Sequence, residues 1–96
     1  MILRITEHEK KAIVEAVKVA DPDAQVWLFG SRADDSKKGG DIDIGILSEK
    51  IDVMKEIGIR RAICDKIGEQ RIDIAVSKDG QQAFFRHVVM EGILLQ

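Results

Sequence analysis

Two periods of apolar residues run along this chain, and each change of period marks a new element. Ala12, Ile13, Ala16, Val17 and Ala20 recur at helical spacing and predict an amphipathic first helix. Thr6-Glu7-His8-Glu9 just before them has the form of a capping box. Asp21-Pro22-Asp23 stops that helix and turns the chain. Gln25 to Phe29 reads as a first strand with Trp27 and Phe29 on one face, and Gly30-Ser31 opens a short helix or turn after it. Residues 34–40 are polar, contain Gly39-Gly40 and read as a mobile loop. From Asp41 to Leu47 the period becomes two: Ile42, Ile44 and Ile46 take one face, Asp41, Asp43 and Gly45 the other.

Ser48 to Asp52 is a loop with Asp52 in an N-cap position. Val53 to Ile67 is a helix carrying Ile59, Ile63 and Ile67 on one stripe, with Gly68 as its stop. Arg71 to Val76 is a third strand, in which Ile72 and Ile74 flank Asp73. A turn at Ser77 to Gly80 leads to a last helix, Gln81 to Glu91, expected to turn Phe84, Phe85, Val88 and Val89 inward. Gly92 ends it, and Ile93-Leu94-Leu95 makes a short terminal strand. The order is αβαβαβα followed by β. It predicts an α/β (α+β) fold in which helices flank a small mixed β-sheet.

Length and composition narrow the function classes. Ninety-six residues without repeats, low-complexity tracts or a linker predict one domain over residues 1–96. The chain is 45% apolar and 33% charged, with a net charge of −2 and mixed signs, so it has no basic stripe for strong nucleic-acid binding. Its lone cysteine, Cys64, excludes an internal disulfide and reads as packing. No apolar run approaches the ~20 residues of a membrane span, and the first residues lack the apolar core of a signal peptide, so a cytoplasmic location is expected. His8 and His87 have no metal-spaced companions and read as structural or surface residues.

The chemistry lies in Gly30-Ser31, nine intervening residues, and Asp41-Ile42-Asp43-Ile44. Gly30 permits close backbone approach, Ser31 offers a hydroxyl and an N–H, and a helix starting there would favour a phosphate. Strands disfavour aspartate, so two at alternate positions need a reason. Carboxylates that close repel unless a cation or proton lies between them, and hard divalent ions take such oxygen ligands. Asp73 offers a third carboxylate. Gly45, on the same face as the acids, is expected to leave open room beside them. Arg32 has a fork suited to phosphate, and Lys37 and Lys38 follow it in the loop.

Taken together, these residues resemble the signature of the DNA polymerase beta-like nucleotidyltransferase superfamily. Gly30-Ser31-Arg32-Ala33 and the small size resemble its minimal nucleotidyltransferase (MNT) branch. The likeness covers the whole chain and is strongest from Phe29 to Ile46. It implies that Asp41, Asp43 and Asp73 ligate two Mg²⁺ ions and that Gly30, Ser31 and Arg32 hold the triphosphate of ATP. It also implies an antitoxin whose partner is a HEPN-domain ribonuclease toxin, modified with AMP on tyrosine. Two departures bear on substrate and partner choice: Asp34-Asp35 stand where the family commonly has Arg-Gly, and Gly40 where it often has Ser. The larger relatives' base-binding helical domain has no counterpart here, so a partner subunit or a second copy is expected to provide that surface. A non-catalytic antitoxin that blocks its partner sterically, and a small-molecule nucleotidyltransferase, use the same residues and remain alternatives.

Overall fold

The computed structural model describes residues 5–29 and 42–96. Within them the chain runs α1 (Glu7–Ala20), β1 (Gln25–Phe29), β2 (Ile42–Leu47), α2 (Val53–Ile67), β3 (Ile72–Ser77), α3 (Ala83–Glu91) and β4 (Ile93–Leu94). The expected Gly30-Ser31 element, the 34–40 loop and Asp41 lie outside the described residues. The elements otherwise follow the expected order. β3 begins and ends one residue later than the alternation suggests, and α3 begins at Ala83 rather than Gln81.

Local chemistry sets the helix ends. The Thr6 hydroxyl accepts from the Glu9 N–H, and the Glu9 carboxylate accepts from the Thr6 N–H, completing the capping box. Asp52 caps α2 by accepting from Lys55 N–H at 2.9 Å. Gly68 ends α2 at φ 91°, a conformation that costs a side-chain-bearing residue energy.

The sheet has strand order β3-β2-β1-β4 and is mixed: β2 pairs parallel with β3, while β1 pairs antiparallel with both β2 and β4. Its two faces bury different residues. Val26, Leu28, Ile42, Ile44, Ile46 and Ile72 pack under α1 and α2 with Ile13, Val17, Ile59 and Ile63. On the other face, Trp27 packs with Phe85 and Val88 of α3. The Trp27 and Phe85 rings meet edge to face at 5.6 Å.

Gly45 does not leave open room. A β-carbon there would stand 2.7 Å from Val88 Cγ1 and 3.3 Å from Phe85 Cε2, so α3 fills the space. Likewise a β-carbon on Gly92 would meet the Val88 carbonyl oxygen at 2.5 Å and that of Leu28 at 2.9 Å. Nor does α3 turn four residues inward. Phe85 and Val88 are buried, but Phe84 is 51% and Val89 43% exposed. Neighbouring residues on a helix point about 100° apart, so a nine-residue helix on one sheet face buries a narrow stripe. Of the terminal apolar run, Leu95 is buried, Ile93 is partly buried and Leu94 is exposed.

A polar knot closes the end of the sheet where β1 starts and β2 finishes. Asp21, 3% exposed, accepts a hydrogen bond from the Ser48 hydroxyl and one from the Asp23 N–H at 3.0 Å. Ser48 Oγ in turn accepts from the N–H groups of Lys50 and Ile51 at 3.0 and 3.2 Å. This ties the α1–β1 turn to the β2–α2 loop. Donation by Ser48, then by the Asp23 N–H, holds the Asp21 carboxyl below its usual pKa.

Two predictions follow from this packing. Gly92→Ala is expected to destabilise more than Gly45→Ala, because backbone oxygens cannot rotate away as Val88 can. A cost of about 1–3 kcal/mol is expected for Gly45→Ala, read by urea unfolding. The Asp21 carboxyl has a lowered folded pKa, so its contribution is full above the ordinary carboxylate range, about 3.9, and is lost as pH falls through the folded value. Ser48→Ala should therefore be less stable than wild type near neutral pH, with the gap closing in acid. A gap constant across pH would assign the role of Ser48 to its loop N–H bonds alone.

Candidate active site

Strand pairing brings the predicted acids of β2 and β3 together. Asp43 stands opposite Asp73 in the parallel β2–β3 ladder and opposite Phe29 in the antiparallel β1–β2 ladder. In-register partners share a face, so Phe29, Asp43 and Asp73 form one row across three strands, which lie ~4.8 Å apart. The next row is Trp27, Gly45 and Ala75, and α3 covers it. The first row lies at the rim of α3. Asp73 is exposed and Asp43 is half-buried.

The isoleucines determine which way these acids point. Ile42, Ile44 and Ile46 are fully buried on the opposite face, so Asp43 must project toward the α3 side. Ile72 does the same for Asp73. Arg71 lies on the same face as Asp73, and its Nε is 3.9 Å from the Asp73 carboxylate. Both side chains are at least half exposed, so water screens this pair and leaves the Asp73 oxygens open to another cation.

Of the other predicted site residues, Asp41, Gly30, Ser31 and Arg32 lie outside the described residues, as do Lys37 and Lys38. Among the described residues no third acid, histidine or cysteine joins Asp43 and Asp73 in a metal-sized cluster. His8 lies far from the row and bonds the Lys66 carbonyl oxygen at 3.1 Å. Cys64 donates to the Gln70 carbonyl at 3.6 Å, in keeping with a packing role.

The periodicity misses an aromatic edge beside the acids. The half-exposed Phe84 ring meets Phe29 edge to face at 5.7 Å, and Phe29 is the strand partner of Asp43. The adjacent Phe84-Phe85 pair is the available signal, since both rings cannot face one core.

The family described as "Polymerase beta, Nucleotidyltransferase" matches residues 11–96. Among solved structures, the fold is similar to one titled "Crystal structure the toxin-antitoxin MntA-HepT". The TM-score is 0.70 at 17% identity, over 95% of this chain and 72% of the other. No curated protein matches the chain.

Two like charges in register on neighbouring strands destabilise a sheet. In chelator-treated protein at low salt, Asp73→Asn is therefore expected to gain about 0.2–1 kcal/mol in urea unfolding. The gain should shrink as salt screens the pair. No gain would mean that the partners of Asp43 and Asp73 already neutralise the pair.

Proposed function

The chain belongs to the polymerase beta nucleotidyltransferase family, and on that premise we propose that it transfers AMP from ATP to a hydroxyl of a partner protein. The observation that carries this reading is the in-register placement of Asp43 and Asp73 on one sheet face, at the rim of α3. The partner we propose is a HEPN-domain ribonuclease toxin, with tyrosine as the acceptor, and the chain is its antitoxin. The likeness in fold to a toxin–antitoxin structure supports a partner of that kind.

The donor set fits a hard divalent cation: two adjacent carboxylates, one of them exposed, with a third acid, Asp41, two residues before Asp43 in sequence. Mg²⁺ held there would supply positive charge to the triphosphate and to the acceptor oxygen. In this reading Asp43 holds the nucleotide side of the site, while Asp73, farther along the row from Phe29, faces the acceptor. Gly30, Ser31 and Arg32 follow Phe29 in sequence and bind the phosphates. The acceptor oxygen forms a bond to the α-phosphorus, the bond to pyrophosphate breaks, and the hydroxyl proton leaves to solvent. Catalysis then consists of positioning and charge neutralisation.

With ATP, Mg²⁺ and the toxin, wild-type protein should release pyrophosphate and raise the toxin's mass by AMP units. Asp43→Asn and Asp73→Asn should lose this activity by ~10³-fold, about 4 kcal/mol of barrier, while melting as folded proteins. Toxin silenced by Asp43→Asn with no added mass would assign neutralisation to binding alone. Transfer at the wild-type rate by either variant would remove the carboxylates from the mechanism.

A further inference from the structure

On the face of the sheet away from Asp43 and Asp73, α1 and α2 lie side by side and leave a groove of about 650 Å³ along their outer surface. Ala16, Gly58, Ile59 and Ala62 give it an apolar floor, and Val19, at the rim, is 88% exposed. Lys18, Lys55 and Lys66 line it against a single acid, Glu15. That acid is engaged by Lys66 at 2.7 Å, and Lys18 and Lys55 have no ion-pair partner among the described residues. The groove therefore presents apolar surface bordered by positive charge.

Gly58 sharpens the reading. It lies inside α2, where glycine weakens a helix relative to alanine. A β-carbon built there meets nothing within 4 Å among the described residues, so packing among them does not demand a glycine. A shallow floor at that point does admit a close approach from outside, as between helices whose axes lie 8–10 Å apart.

We propose that the α1–α2 groove docks an amphipathic helix of a partner protein, its apolar side chains over Gly58 and its acidic residues against Lys18 and Lys55. Charge complementarity selects the acidic flank. The surface lies on the opposite side of the sheet from the carboxylate row, so docking and transfer can proceed together. This inference stands apart from the transfer reading: it concerns binding alone.

The test uses the full chain and two labelled helical peptides of about 20 residues, with identical leucine stripes but flanked by glutamate or by lysine. Fluorescence anisotropy at low salt should show the glutamate peptide binding about 10-fold more tightly, with the advantage falling as salt rises. Gly58→Leu grows into open space, so it should keep native circular dichroism yet weaken the glutamate peptide by about 10-fold. Lys18→Glu with Lys55→Glu, both at the rim, should reverse the peptide preference. Equal affinity for both peptides, no binding, or binding that Gly58→Leu leaves unchanged would overturn the proposal. A groove-dependent dimer of this chain in sedimentation would overturn it in favour of a second copy. Capture of oleate without either peptide would overturn it in favour of an anionic lipid.

Discussion

The alternation along β2 constrains everything around the carboxylates. Ile42, Ile44 and Ile46 are fully buried beneath α1 and α2, each worth about 1.5–3 kcal/mol of burial. A slip of one residue would put Asp43 into that apolar layer and expose the isoleucines. Parallel pairing with β3 then places Asp73 beside Asp43, and antiparallel pairing with β1 adds Phe29 to the same row. Burial on the opposite side of the sheet thus holds the two acids in register on one face.

The α3 side of the sheet divides by row. Where β2 carries Gly45, α3 can press against the sheet with Phe85 and Val88; where it carries Asp43, the sheet emerges at the rim. Gly92 performs a similar service at the other end of α3, letting the chain pass the carbonyl oxygens of Val88 and Leu28 into β4. The C-terminal residues then continue along β1: the Val26 N–H donates to the Gln96 carbonyl at 3.0 Å, and the Leu95 N–H to that of Val26 at 2.7 Å. Both faces of the sheet are covered by helices, yet the carboxylate row stays accessible through Asp73. No helix among the described residues is long and apolar enough to cross a membrane.

Polar contacts away from the row secure the frame. At one end, Asp21 and Ser48 join two connections that are distant in sequence. At the other, the Gln70 amide reaches the Glu9 carboxylate at 3.3 Å and His8 reaches the Lys66 carbonyl oxygen, pinning the start of α1 to the end of α2. These contacts hold α1 and α2 antiparallel and side by side along the groove.

Periodicity and caps made most of the elements legible, because both are local. Thr6 with Glu9, Asp52 before α2, and Gly68 after it each act within a few residues, and the isoleucines of β2 and α2 state their own buried faces. The faces of Asp43 and Asp73 were legible for the same reason: alternation assigns each a face before any partner is known, while their meeting depends on the β2–β3 register. Tertiary structure decided the remainder. Asp21 reads as a helix stop in sequence, but its carboxylate is buried because Ser48, 27 residues away, comes to meet it. Gly45 reads as open space, and α3 fills it. Phe84 and Val89 read as core, yet the width of a helix on a sheet leaves them half exposed. A local pattern specifies which side of an element is apolar. Which neighbour covers that side, and how far, depends on contacts between segments far apart in the chain, and only packing in three dimensions determines them.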